Sequence, residues 1–182
     1  IPFCAKKCAY CDFLSFPQGE DIQKRYVERL IEEIETASAG FRDTTVTSVF
    51  VGGGTPSILR SREIVRIFET LRNTFNIEET AEISMEANPG TVTREKLLDY
   101  RKAGINRLSF GLQSADNAEL KALGRIHTYE EFLDSYRLAR ACGFENINVD
   151  LMSALPGQTV ESWLETLGKV AALKPEHISA YS

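Results

Sequence analysis

Ile1-Pro-Phe-Cys4-Ala-Lys-Lys-Cys8-Ala-Tyr-Cys11 opens the chain: a short apolar stub followed at once by three cysteines. Beyond it, short β-prone runs alternate with longer runs of helical period. Thr47 to Val51, Glu82 to Ala87, Arg107 to Gly111, Asn146 to Met152 and His177 to Tyr181 are the expected strands. Such alternation is the mark of βα units and a parallel sheet. Ile1 to Phe3 is read as the end of one further strand, largely truncated. An open doubly wound sheet usually carries a glycine fingerprint in its first βα turn, whereas the first turn here carries thiols. The expected fold is therefore α/β, a partial (β/α)6 TIM-like barrel of parallel strands. In such a barrel the βα loops at the carboxyl ends of the strands form one functional rim.

The helices follow from periodicity and capping. Ile22, Tyr26, Leu30 and Ile34 recur at helical spacing after Asp21, as do Ile64, Ile67, Phe68, Leu71 and Phe75 after Ser61. Thr128-Tyr-Glu-Glu131 has the form of a capping box for a helix carrying Phe132, Leu133 and Tyr136. Gly40, Gly104 and Gly143 follow helical stretches, where a left-handed cap is expected. The last helix is expected over Val160 to Leu173, with Trp163, Leu164 and Leu167 on its apolar pattern.

With 182 residues, 43% of them hydrophobic and 26% charged, the chain is long enough for one sizeable core. It is expected to be one domain, 1–182, and a fragment of a longer protein, since it opens without methionine and stops directly after a strand. No run approaches the roughly 20 apolar residues of a membrane span, and no leader pattern is present, so the expected compartment is the cytoplasm. A net charge of −5 disfavours nucleic acid as a partner.

Three of the four cysteines crowd into one loop, while Cys142 stands alone in an apolar helix and reads as a buried structural thiol. Clustered thiols without a secretory signal indicate metal binding. Cys4, Cys8 and Cys11 can wrap a cube-shaped iron–sulfur cluster and leave one iron without a protein ligand. Zinc is the competing reading; it wants a fourth ligand, and His127 and His177 are both remote in sequence.

The other strand ends carry further candidates. Gly52-Gly53-Gly54-Thr55-Pro56 exposes backbone to which a small polar molecule could bind, or is simply a tight turn. Glu86 ends the apolar run Ile83 to Glu86 and Asp150 sits inside Ile147 to Met152, where a buried carboxylate needs a partner. That partner is either a ligand's ammonium or hydroxyls, or a structural arginine, Arg107 or Arg125. His127 and His177 receive no role, and Trp163 is expected to pack in the core.

Taken together, the cysteine loop with Asp12-Phe13, Gly52-Gly-Gly-Thr-Pro56, Glu86-Ala-Asn-Pro-Gly90, Ser109-Phe-Gly-Leu-Gln113 and Asn148-Val-Asp150-Leu-Met-Ser-Ala-Leu-Pro-Gly157 resemble radical S-adenosylmethionine (SAM) proteins. Within that superfamily they are similar to the oxygen-independent coproporphyrinogen III oxidase group and its heme-chaperone branch. The resemblance implies a 4Fe-4S cluster on Cys4, Cys8 and Cys11, with SAM chelating the open iron and, on reduction, yielding a 5′-deoxyadenosyl radical. It implies that Tyr10 contacts the adenine side, that Gly53, Gly54 and Thr55 contact the methionine moiety, and that Glu86, Gln113, Arg125 and Asp150 contact bound SAM, divided between two sites where two molecules bind.

The oxidase pattern has a fourth cysteine two residues after the third; Phe13 stands there, which favours the heme-chaperone branch. That branch implies heme as a cofactor, heme-accepting apoproteins as partners, a flavodoxin-type or ferredoxin-type electron donor, and heme-binding elements beyond Ser182. The alternatives are coproporphyrinogen decarboxylation and, more remotely, transfer-RNA modification.

Overall fold

A computed structural model describes residues 1–41 and 43–182. In chain order they form α1 (Glu20–Ser38), β1 (Thr45–Val51), a 3-10 turn (Pro56–Ile58), α2 (Ser61–Thr74), β2 (Asn76–Ala87), α3 (Arg94–Lys102), β3 (Arg107–Gln113), α4 (Asn117–Ala122), α5 (Tyr129–Ala141), β4 (Asn146–Met152), α6 (Val160–Ala171) and β5 (His177–Tyr181). All strand pairs are parallel, and the sheet order β1-β2-β3-β4-β5 follows the chain. Each strand therefore lies beside its predecessor, which is the winding of a barrel opened along one side.

Alternation along the strands divides the two faces of this half-barrel. One parity supplies Ile83, Met85 and Ala87, then Leu108, Phe110 and Leu112, then Ile147, Val149 and Leu151, all buried. These residues meet Phe68, Tyr100, Phe132 and Phe144 from the helical layer, each hidden almost completely from solvent. Burying one such side chain contributes about 1.5–3 kcal/mol. The opposite parity is polar: Ser84, Ser109 and Asn148 are buried on it, with Glu86, Asp150 and Ser179. A closed barrel would fill this inner face with branched apolar residues. Here it is a polar trough.

The helix caps explain where chain direction changes. Thr128 and Glu131 form the expected capping box, Thr128 N–H donating to Glu131 at 2.8 Å. Thr159 and Ser162 form a second one at the start of α6. Gly104 and Gly143 take the left-handed conformation with φ of 90° and 88°. Gly40 does not, because α1 runs out through Ala39 at φ −58° and needs no left-handed cap.

Among the described residues the sheet has five strands, where the sequence suggests six. Ile1 to Phe3 is too short to make a ladder: Phe3 forms one isolated bridge with Phe16. The segment nevertheless lies along the end of β1. The Ile1 nitrogen donates to Gly52 O at 2.8 Å, Gly54 N–H to Ile1 O at 2.8 Å, and Thr55 N–H to Phe3 O at 2.7 Å. β2 also begins earlier than expected, at Asn76, across a register break between Val46 and Ser48. Its polar Glu78-Glu79-Thr80 stretch hides that start from pattern reading. No described helix is long and apolar enough to cross a membrane.

Candidate functional site

The carboxyl ends of the strands surround a cavity of about 650 Å³, lined by Cys4, Cys8, Cys11 and Tyr10, by Gly53, Gly54 and Thr55 of the glycine turn, and by Glu86, Gln113, Arg125 and Asp150. The cysteine loop covers one side, β1 and β2 bring Gly53 to Thr55 and Glu86, β3 brings Gln113, and β4 brings Asp150. Arg125 arrives from the turn after α4. Gln113 sits at φ +76°, uncommon for a residue with a side chain, which marks the strand end as a shaped position.

The cysteine loop is held from behind. Cys11 N–H donates to Cys8 O at 3.2 Å, and Ala9 N–H donates to Leu123 O at 3.0 Å. Gly124 lies against the loop at φ +74°, where an added Cβ would come within 3.3 Å of Ala9 N. This docking against α4 was not visible in the sequence, since the two segments are far apart along the chain.

The thiols themselves are half-buried. Cys4 Sγ lies 3.3 Å from Thr55 Oγ1, and Arg125 Nη1 donates to Cys8 Sγ at 3.5 Å. Among the described residues no three His, Cys, Asp or Glu side chains gather closely enough to hold a single metal ion. The three cysteines instead line one cavity, with a cation beside one sulfur and a hydroxyl beside another. Soft sulfur donors set around shared space suit a multi-iron cluster, whose thiolates attach to separate irons.

The glycine turn differs from its simplest reading. Its N–H groups do not face the cavity unengaged: Gly53 N–H donates to Glu86 Oε2 at 3.0 Å, and those of Gly54 and Thr55 are taken by Ile1 and Phe3. The carbonyl oxygens of Gly53 and Gly54 accept no hydrogen bond among the described residues. The glycines also permit close approach, because a Cβ on Gly54 would stand 2.6 Å from Phe3 O.

Glu86 and Asp150 do not make the arginine pairs weighed against a ligand role. Arg107 turns to Ser84 Oγ at 3.1 Å and His177 Nδ1 at 3.0 Å, while Arg125 turns to Asn88, Gly111 O and Cys8. Asp150 accepts from Ser109 Oγ at 2.9 Å and Asn148 Nδ2 at 2.8 Å. Burial raises the Glu86 carboxyl above its ordinary range; the Gly53 N–H opposes this and the Asp150 charge adds to it. Two mutually repelling carboxylates in one cavity favour a cationic ligand between them.

Burial pushes the Tyr10 phenol up to about 12; Arg125 opposes this, and Cys8 and Cys11 add to it. The phenol stays neutral and presents a polar tip on an aromatic face at the cavity wall. Phe13 also lines the cavity and is largely exposed.

Sequence reasoning left four residues of this neighbourhood unassigned. Asn88 bonds Arg125 and Thr55 together. Ser109 and Asn148 hold Asp150; a period-two polar pattern on β3 and β4 was the available signal. His127 is buried, its Nε2 has no partner among the described residues, and burial with the neighbouring Arg125 charge lowers its pKa to about 4. His177, by contrast, is exposed beside Arg107, Cys142 is buried as expected, and Trp163 packs against the core while Leu164 faces solvent.

The chain is similar along its whole length to known proteins. The chain is 39% identical over its whole length to the heme chaperone HemW of Haemophilus influenzae and 40% identical to that of Escherichia coli, covering 49% and 48% of them. It thus spans about half the length of the curated relatives it matches. The solved structure of the Escherichia coli coproporphyrinogen III oxidase HemN, described as a radical SAM enzyme, superposes over the whole chain and 42% of its own, with a TM-score of 0.92 at 34% identity. The profile of the Radical SAM superfamily matches residues 1–170, and the chain belongs to that superfamily.

Proposed function

We propose that this chain is the cluster- and SAM-binding core of a heme chaperone, with Cys4, Cys8 and Cys11 as ligands of a 4Fe-4S cluster. The observation that carries the reading is the convergence on one cavity of those thiols, Arg125 and two carboxylates that form no ion pair with an arginine among the described residues. When bound, the cluster and SAM supply one-electron reductive cleavage of a carbon–sulfur bond.

The chain's own residues divide the work of holding that cofactor. The carbonyls of Gly53 and Gly54 accept from the amino group of the methionine moiety, with Glu86 supplying the opposing charge nearby. Arg125 serves a carboxylate, Tyr10 lies on the adenine side, and Gln113 and Asp150 accept from or donate to the remaining polar groups. The Gly53 N–H locks the Glu86 carboxylate in place, and Ser109 and Asn148 do so for Asp150.

Support for the chaperone over the oxidase comes from Phe13 in place of a fourth cysteine and from the similarity to the two HemW proteins. On this reading the protein is longer than the present chain and works in the cytoplasm. It receives electrons from a flavodoxin-type or ferredoxin-type donor and passes heme to apoproteins. The oxidase reading is supported by the close superposition on HemN.

Anaerobic reconstitution of the full-length protein followed by electron paramagnetic resonance tests the cofactor assignment. SAM is expected to change the spectrum of the reduced protein; an unaltered spectrum overturns the reading. Cys8→Ala is expected to lose the cluster, and undiminished iron content in that variant counts against Cys8 as a ligand.

A further inference from the structure

Between the cysteine loop and the sheet runs a hydrogen-bonded chain whose members come from four separate segments. Arg125 Nη1 donates to Cys8 Sγ at 3.5 Å, and Arg125 Nη2 donates to Asn88 Oδ1 at 2.8 Å. Asn88 Nδ2 donates to Thr55 Oγ1 at 2.8 Å, and Thr55 Oγ1 lies 3.3 Å from Cys4 Sγ. The chain thus begins on one thiol and ends on another.

The direction of each bond follows from donor chemistry. A guanidinium only donates, so it faces the amide oxygen of Asn88 and turns the amide nitrogen toward Thr55. The Thr55 oxygen, already accepting from that nitrogen, has its own proton free to donate to Cys4 Sγ. Thr55 is almost wholly buried, so no surrounding solvent competes for this proton. Two of the three thiols therefore face hydrogen-bond donors whose orientation depends on one asparagine; Cys11 Sγ receives no hydrogen bond among the described residues.

Asn88 is itself held rigidly. Its N–H donates to Ser57 Oγ at 3.2 Å, and its carbonyl accepts from Thr91 Oγ1 at 2.6 Å and Thr91 N–H at 3.2 Å. Ser57 and Thr91 are in turn 2.5 Å apart. Opposite the amide, β3 carries Gly111, where a Cβ would stand 3.1 Å from Asn88 Oδ1 and 3.5 Å from Arg125 Nη2. The missing side chain leaves room for the Asn88–Arg125 contact.

We infer that Asn88 is a positioning residue that directs the Thr55 hydroxyl and the Arg125 guanidinium onto the sulfurs of Cys4 and Cys8, raising the reduction potential of the cluster those thiols hold. This rests on the cluster assignment above. The physical reason is that donors aimed at ligand sulfurs stabilise the additional negative charge of the reduced cluster more than the oxidised one.

The test is a potentiometric titration of the reconstituted full-length protein without SAM, with iron content measured on each sample. Asn88→Ala is expected to load iron as the parent does and to show a more negative midpoint potential. Asn88→Asp is expected to lie lower still, because its carboxylate accepts the Thr55 proton, withdraws it from Cys4 and adds negative charge. A parental potential in an iron-replete Asn88→Ala protein overturns the inference, leaving the cluster assignment intact. If Asn88→Ala fails to load, Thr55→Val decides: a more negative potential supports the inference and an unchanged one overturns it. A parent that assembles no cluster removes both the inference and the assignment beneath it.

Discussion

At the scale of single residues, the site depends on polar groups whose partners are distant in sequence. His127 illustrates what burial does to one of them. Its imidazole titrates near 4 instead of near 6.5, because a charged ring would sit without solvent beside Arg125. Between those values the unfolded chain binds a proton that the folded chain refuses. Stability from this residue is therefore complete above about pH 6.5 and is lost as pH falls toward about 4, by at most about 1.4 kcal/mol per pH unit. Urea unfolding of the apoprotein between pH 7 and about pH 5 should show this slope, and His127→Gln should flatten it. An equally steep slope in the variant would assign the effect to other groups. Nothing in the loop Gly124-Arg-Ile-His127 announces such burial, since the packing comes from elements elsewhere in the chain.

At the scale of elements, two connections hold the rim. The first is the meeting of Ile1 to Phe3 with the glycine turn. Gly54→Ala places a methyl 2.6 Å from the backbone carbonyl of Phe3, which already accepts from Thr55 N–H. A destabilisation of about 1–3 kcal/mol is expected, read as a lower denaturation midpoint; a parental midpoint would mean that the segment moves aside. The second connection is Glu119 on α4. It accepts from Ser114 at 2.6 Å, from Gln158 at 3.0 Å and from Ser162 at 3.0 Å, tying the loop after β3 to the start of α6. Glu119→Ala removes the acceptor of Ser114 and Gln158, while Ser162 keeps the Thr159 carbonyl, and should cost about 1–3 kcal/mol, whereas Glu119→Gln, which keeps one acceptor, should cost less. Calorimetry on both variants distinguishes this from a surface carboxylate of no consequence, for which the two would match the parent.

On the scale of the whole molecule, the half-barrel leaves its polar inner face open along one side, and exposed aromatic side chains of Phe50 and Tyr181 border the cavity. If the full-length protein is a heme chaperone, it should retain heme stoichiometrically through gel filtration and release no decarboxylated product from coproporphyrinogen III. Formation of protoporphyrinogen would assign it to the oxidase reaction instead.

Much of this was legible in the linear chain, for physical reasons that differ by feature. The βα alternation is local, because periods of 2 and 3.6 are written residue by residue; β4 and β5 accordingly have their expected bounds. The start of β2 was hidden because Glu78 to Thr80 lack the apolar period, and the pairing across from β1 supplies the strand instead. The candidate residues at strand ends could be named because a parallel barrel sends every strand's carboxyl end to one rim. Thiol spacing together with that topology put a cysteine loop on that rim, and Cys4, Cys8 and Cys11 line the cavity there. Only the tertiary structure decided which groups face one another: that the glycine N–H groups are spent on Glu86, Ile1 and Phe3, that Arg125 turns to Asn88 and Cys8, and that His127 is sealed in. Those outcomes depend on contacts across tens of residues, where distance, burial and donor direction are properties of the folded chain and of no local stretch of it.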